Sequence, residues 1–364
     1  MESLGMRQLF NNVFEGKAVL VTGHTGFKGS WLAVWLRELG ANVIGYALEP
    51  YTKDDIFAVA GVDRKIKSNI GDIRDYDKLK GVIDKHHPEI VFHMAAQPLV
   101  RLSYQQPKLT YETNIGGTVN LLECCRSSDA VKVIINVTSD KCYDNRECIW
   151  GYRENDPLGG YDPYSSSKAC SEIITAAYRN SFFHADNKCL SSVRAGNVIG
   201  GGDWREDRLV PDCIRALKKK EIIGVRSPRS VRPWQHVLDP LSGYLLLASR
   251  MYEYGAEYSG AWNFGPYHGS IITVEELVTR LIGYWGSGRY KDLSAQLSEE
   301  PHEAGLLALD ISKAIHHLNW TPVLNVSEAV EFTVNWYKSA HVDYNFCVSQ
   351  IEDYAALSEQ RKSC

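Results

Sequence analysis

Two rhythms of apolar positions alternate through the first two hundred residues. Short continuous apolar, β-branched runs stand at Ala18–Thr22, Val43–Tyr46, Ile90–His93, Val131–Val137 and Leu190–Arg194, with a weaker one at Lys65–Asn69. Such runs suit strands buried on both faces of a parallel sheet. Between them the spacing changes to three and four. Trp31, Leu32, Trp35, Leu36 and Leu39 share one helical face, and Gly40 ends that helix. Helices are predicted at Tyr76–His87, stopped by Pro88, from about Pro107 to Ser127, and over residues 161–179. Regular strand–helix alternation predicts an α/β fold built on a doubly wound parallel sheet, with ligands held beyond the carboxyl ends of the strands.

The first turn of that pattern is special. After Ala18–Thr22 come Gly23, Gly26 and Gly29 at a spacing of three, and then the helix. Glycines there permit a tight turn and let a pyrophosphate approach backbone N–H groups at a helix N-terminus. Strand, glycine turn and helix together are the context that a Rossmann-type dinucleotide site requires. The segment from Gly23 to Gly29 also holds His24, Thr25, Phe27 and Lys28. Lys28 is a cation inside the turn, able to contact phosphate or to crowd it. Ala47 ends the next strand without an acid for an adenosine ribose, and Glu49 is a near candidate. No arginine nearby suggests a 2′-phosphate pocket, which favours NAD over NADP.

Past Gly200 the alternation breaks. GGGDWREDR reads as a loop, Leu209–Lys219 as an amphipathic helix with a basic end, SVRPWQHVLDPLSGYLLLASRM as a short strand and a helix, and AWNFGP as a strand and turn. Residues 273–338 read mostly as helices and loops. The division expected is 1–200 with 236–266 for the cofactor, and 201–235 with 267–364 as a smaller, mixed substrate-binding domain that closes over it.

Composition narrows the function. A chain of 364 residues can bury a sizeable core, and 44% hydrophobic with 23% charged residues is ordinary for a globular protein. A net charge of −4 argues against a nucleic-acid partner. Nine scattered cysteines without a CxxC pair suit a reducing cytoplasm and give no disulfide framework. His86–His87 and His316–His317 lack metal-ligand spacing, so no metal is expected. No run has the length of a membrane span, and no signal peptide is expected.

Tyr164 and Lys168 lie four apart on one predicted helix and face the same way. A tyrosine titrates near ~10, too high for a base at neutral pH. A neighbouring ammonium and an oxidised nicotinamide would favour the phenolate, allowing Tyr164 to take a hydroxyl proton while the carbon gives up hydride. Ser139, ending the central strand, would bond the same oxygen.

These residues sit in a longer series. TGHTGFKG, GDIRD, HMAAQ, YETNIGGT, TSDK, YSSSK, RAGN, SVRPWQHV and AWNFGP run in the order seen in extended short-chain dehydrogenase/reductases. The resemblance covers roughly residues 17–335. Within that family the chain is similar to the nucleotide-sugar 4,6-dehydratases. GHTGFKGSWL, GNVIGGGDWREDRLVPD and PHEAGLLALD resemble the branch acting on CDP-glucose.

The resemblance implies an internal redox cycle with bound NAD: oxidation at C4 of the glucose ring, loss of water across C5 and C6, and hydride return to C6. Lys168 would also bind the nicotinamide ribose. Asp140 matches the family's acid for the leaving C6 hydroxyl. Lys141 stands where relatives usually carry the glutamate that takes the C5 proton, and is either a base or a stabiliser of the enolate. Asp72 and Ile73 match the adenine contact, and Ala95, Gln97 and Asn114 match positions around ribose and nicotinamide. Asn197, Arg208, Arg232 and Asn263 match positions near the sugar nucleotide, and Glu303 could read the cytosine amine. Relatives dimerise through helices at about 100–127 and 164–183, where Leu121–Leu122 and Ile173–Ile174 could serve, so a homodimer or dimer of dimers is expected. Two other readings stay open: a 4-epimerase or dehydratase for another nucleotide sugar, and a non-catalytic NAD-binding protein.

Overall fold

A computed structural model describes residues 6–296 and 305–362. Seven strands form its central sheet: β1 (Ala18–Thr22), β2 (Asn42–Ala47), β3 (Lys67–Ile70), β4 (Ile90–His93), β5 (Val133–Val137), β6 (Cys189–Ala195) and, much later in the chain, Ala261–Phe264. All pair in parallel, with β6, β5, β4, β1, β2 and β3 side by side and Ala261–Phe264 joining the outer edge of β6. Chain direction across the sheet reverses between β1 and β4. At that switch point the Thr22 hydroxyl meets His93 Nδ1 at 2.8 Å. The central strands are buried throughout, as their unbroken apolar runs require.

Smaller sheets lie beside the carboxyl end of this layer. Val231–His236 pairs in parallel with Asn197–Ile199 and antiparallel with Ile271–Thr273. Ile223–Val225 pairs with Tyr290–Asp292. These short strands are embedded in loops and leave little periodicity to read.

Helices depart from the sequence pattern in three places. The Phe27–Glu38 helix is buried from Gly29 to Leu36, not on one face alone. Sheet covers one side, and Trp35 packs edge-on against Tyr354 of a last helix, Tyr344–Lys362. That last helix has 19 residues. Its buried positions, Cys347, Gln350, Ile351 and Tyr354, form a narrow stripe that includes a polar residue, so no apolar rhythm announces it. It lies against the layer of the large sheet, where Tyr344 donates to Glu38 at 2.8 Å and Tyr354 to Asp239 at 3.0 Å. Finally, the long helix after Pro107 contains a π turn at Glu112–Gly116, centred on Asn114. Leu121 and Leu122 on this helix are fully buried in the core and are not available to a second subunit, whereas Ile173 is exposed.

Candidate active site

The glycine turn is as tight as its sequence suggests. A Cβ on Gly29 would stand 2.1 Å from the Gly23 carbonyl oxygen, and one on Gly23 would meet the Ala95 nitrogen at 2.8 Å. Gly26 is the exposed apex, and a Cβ there would meet only the Gly23 oxygen, at 3.4 Å. Its outer side is therefore open at the start of a helix whose first N–H groups have no partner within the helix. That is the shape an oxygen-rich pyrophosphate fits. Thr25 and His24 side chains turn inward instead. Thr25 donates to the Leu48 carbonyl at 2.8 Å, and His24 packs over Gly45 with Nε2 2.7 Å from Ser68 Oγ; burial lowers its pKa to about 4, leaving it neutral.

The reacting groups gather where β5 ends. Ser139 is followed by a single helical turn, Asp140–Cys142. Opposite stands the Pro163–Tyr178 helix, started by Pro163 and capped by Asp162, which accepts the Ser165 N–H at 2.9 Å. Tyr164 and Lys168 project from its first turns. Ser139 neighbours Tyr164 and acts to lower its pKa, and the Ser139 hydroxyl donates to Asp140 Oδ1 at 3.0 Å. Lys168 donates to the Val137 carbonyl at 3.2 Å.

Electrostatics differ from the sequence expectation at Tyr164. Burial raises its hydroxyl to about 12, against the Ser139 hydrogen bond and the more distant Arg208 charge. Lys168 is not among the groups that offset this, its Nζ being engaged by the Val137 carbonyl. Asp140 is buried, with Oδ2 unpartnered below Gly196 and Pro233. Burial lifts its carboxyl above the usual range despite the opposing charges of Lys141, Lys28 and Arg232 and the Ser139 hydrogen bond. Lys141 is half-buried beside it.

Lys28 reaches this same cleft. Burial brings it to about 8, the Arg208 and Lys168 charges pull the same way, and Asp140 opposes them. Arg208 pairs with Asp203 at 2.7 Å, and Arg232 donates to the Val231 and Gly305 carbonyls at 2.9 and 3.1 Å. Asn197 is half-buried on the strand next to Arg232's. One buried acid thus sits among several cations, a setting suited to a diphosphate and to developing negative charge.

The other expected residues are placed as follows. Asn263 is fully buried, accepts from Tyr143 at 2.8 Å and donates to the Tyr152 and Asp310 carbonyls at 2.8 and 3.0 Å, so its amide is spent inside the protein. Asn114 accepts the Gln97 N–H at 2.8 Å and donates to the Gln97 carbonyl and Ser167. The Gln97 amide in turn donates to Leu99 and Thr110. Both side chains are engaged in shaping the loop after β4. Ala95 lies against the glycine turn, while Asp72 pairs with Arg74 at 2.6 Å beside buried Ile73. Glu303 lies outside the described residues. Sequence reasoning passed over Glu172 and Arg194, a buried pair behind Lys168, although Glu172 follows Lys168 by the same step of four.

Comparisons with known proteins agree with this architecture. The chain is 53% identical over 335 residues to CDP-glucose 4,6-dehydratase of Salmonella typhimurium, covering 90% of this chain and 92% of that protein. It is 28% identical to UDP-glucose 4-epimerase of Halalkalibacterium halodurans, over 88% and 96% of the two chains. Among solved structures, UDP-glucose 4-epimerase of Thermotoga maritima superposes with a TM-score of 0.73 at 25% identity, covering 88% of this chain and 98% of that one. A dTDP-glucose 4,6-dehydratase of Bacillus anthracis in complex with NAD superposes at 0.72 over 89% and 97%, and at 22% identity it speaks to the fold alone. Residues 20–333 match the model of the GDP-mannose 4,6 dehydratase family, and the chain belongs to that family.

Proposed function

We propose that this protein is an NAD-dependent CDP-glucose 4,6-dehydratase, converting CDP-glucose to CDP-4-keto-6-deoxy-glucose and water. The observation that carries this reading is the meeting of two functions on one hydroxyl. Ser139 acts on Tyr164, the candidate base for C4 oxidation, and donates at 3.0 Å to Asp140, a buried carboxyl kept above its usual range. A dehydratase needs such a proton donor for the departing C6 hydroxyl. A 4-epimerase does not. The 53% identity to the Salmonella enzyme supports CDP-glucose as the substrate.

When bound, NAD supplies the hydride acceptor for C4 and the donor for C6. The open apex at Gly26 and the N–H groups of Phe27, Lys28 and Gly29 would hold its pyrophosphate. Tyr164 takes the C4 hydroxyl proton, with Ser139 bonding the same oxygen. Its hydroxyl at about 12 must come down for this, and cationic neighbours in the loaded site favour the phenolate. Once C4 is a ketone, the C5 proton becomes acidic. Asp140 gives its proton to the C6 oxygen, and Lys141, next to it, acts at C5 as base or enolate stabiliser. Asn197 and Arg232 on the three-stranded sheet, and Arg208 at the start of the Leu209–Lys219 helix, would hold the diphosphate. The two-part division we favour has residues 1–200 and 236–266 binding NAD and the segments 201–235 and 267–364 binding the sugar nucleotide, although the last helix packs on the first part through Trp35 and Glu38. Among the described residues no helix is long and apolar enough to cross a membrane. We favour a cytoplasmic homodimer or dimer of dimers, for which the exposed Ile173 on the Pro163–Tyr178 helix is available.

The test is to incubate the purified protein with NAD and CDP-, dTDP-, UDP- and GDP-glucose and assay for 4-keto-6-deoxy product. Product from CDP-glucose at a kcat/KM at least tenfold above the others supports the reading. A 4-epimer, or preference for another nucleotide, overturns it.

A further inference from the structure

Behind the reacting groups lies an ion pair that the reaction itself does not call for. Glu172 and Arg194 meet at 2.8 Å, each with only 2% of its side chain exposed. Glu172 comes from the Pro163–Tyr178 helix, so Tyr164, Lys168 and Glu172 descend one face at intervals of four. Arg194 comes from β6. Glu172 spends both oxygens: one accepts Thr138 Oγ1 at 2.5 Å, and the other accepts Ser192 Oγ at 2.6 Å and Arg194. Arg194 continues outward, donating to the Tyr143 hydroxyl at 2.7 Å and the Glu154 carbonyl at 3.1 Å and lying over the Tyr143 ring at 4.8 Å. Tyr143 passes its own proton to Asn263 at 2.8 Å and stacks on Tyr152.

The places where this chain attaches are informative. Thr138 is the residue before Ser139. Tyr143 is the residue after the Asp140–Cys142 turn. The segment carrying Ser139, Asp140 and Lys141 is therefore gripped at both ends by one buried pair, and that pair is rooted one helical turn below Lys168. We infer that Glu172 and Arg194 are positioning residues: through Thr138 and Tyr143 they fix the Ser139–Asp140–Lys141 turn against Tyr164 and Lys168. Separating such a pair leaves an uncompensated buried charge, so it holds helix and strand in one arrangement. The inference rests on the assignment of roles given above.

The charge effect has a direction. The groups acting on Lys168 are Glu172 on its own helix and Cys142 on the turn, which favour its charge, while Lys28 of the glycine turn and His93 of β4, neutral through burial, also share its surroundings. Glu172 opposes the burial that lowers Lys168, so removing its charge lowers Lys168 further.

Two variants separate these effects. Tyr143→Phe keeps the ring and leaves the ion pair intact, but cuts the link from Arg194 to Asn263. Expected is at least a tenfold slower water elimination, with C4 oxidation within twofold and KM unchanged. A residue serving only stability would lower both steps through the folded fraction and would not split them. Glu172→Gln should move the alkaline limb of C4 oxidation down by half a pH unit or more, and Glu172→Asp should restore it. Both readouts are made on whichever sugar nucleotide the parent oxidises, so a wrong substrate assignment leaves the test intact. Elimination at the parental rate in Tyr143→Phe overturns the positioning role, and this decides the matter if Glu172→Gln does not fold. An unmoved limb in a folded Glu172→Gln overturns the charge role.

Discussion

Lys168→Met sets stability against activity at one buried atom. Burial lowers the ammonium from 10.5 to about 8, with Glu172 only partly offsetting it. A folded-state value below the unfolded one means that folding disfavours the charged form. The cost is full below about pH 8, fades as pH rises to 10.5 and is gone above it. A shift of that size corresponds to about 3 kcal/mol. Methionine has similar length and no charge, so the variant escapes this cost. It also leaves the Val137 carbonyl without its 3.2 Å partner, a loss of about 1–3 kcal/mol that does not depend on pH. The absolute change at neutral pH is thus a small net gain or none. Its pH dependence is the sharper quantity: relative to parent, the variant should lose about 3 kcal/mol between pH 7 and 10.5. With roughly 0.8 kcal/mol per kelvin of unfolding entropy for a chain of 364 residues, that is a relative fall of about 4 °C in Tm. Thermal melts of both proteins across this range measure it. In the same variant, single-turnover C4 oxidation should fall by at least ~10²-fold. A pH-independent difference in Tm would show that Lys168 carries no buried charge, and near-parental oxidation would remove it from the site.

Four further outcomes are expected. Tyr164→Phe should keep the sugar nucleotide bound but lose at least ~10²-fold in C4 oxidation, followed as NADH absorbance; normal turnover would rule out the base role. Asp140→Asn should still oxidise C4 and then stall, so NADH accumulates in a single turnover, and dehydration at the parental rate would show that the proton comes from elsewhere. Lys141→Met should slow deuterium exchange at C5 in D₂O while oxidation persists; rescue by Lys141→Glu would mark a base, failure of rescue would mark the positive charge, and unchanged exchange would refute both. Asp239, lifted by burial to about 7, accepts the Val323 N–H at 2.7 Å and the Tyr354 hydroxyl at 3.0 Å. Its raised value contributes stability that is present below 3.8 and lost by the time pH passes about 7. Asp239→Asn should remove that slope, worth about 4 kcal/mol, from chemical denaturation across pH 4–8, and an unchanged slope would refute the assignment.

Much of the fold was legible because a parallel sheet writes itself as unbroken apolar runs, and because the glycine turn and the Tyr164–Lys168 spacing are local. What escaped was non-local. The Tyr344–Lys362 helix buries only a narrow stripe against Trp35 and Asp239, so its own sequence carries little rhythm. The short strands Asn197–Ile199 and Ile271–Thr273 exist because Val231–His236 lies between them. Within the site, motif order located the segments holding Gln97, Asn114 and Asn263 but not the direction of their amides, which depends on partners 13 to 120 residues away. Glu172 stood in plain view four residues past Lys168. Its meaning appears only with Arg194, 22 residues on, and with Thr138, 34 residues back. The lowered tyrosine pKa expected from a neighbouring lysine also depended on geometry, since burial acts on both groups and Lys168 bonds a carbonyl.

The central claim is an internal redox dehydration, and it is tested most directly by following one hydrogen. CDP-glucose carrying deuterium at C4 is converted by the purified protein, and the product is examined by NMR. The account expects 4-keto-6-deoxy product with that deuterium on the C6 methyl group. Deuterium retained at C4 of an epimer, or released to free NADH with no 6-deoxy product, would contradict it.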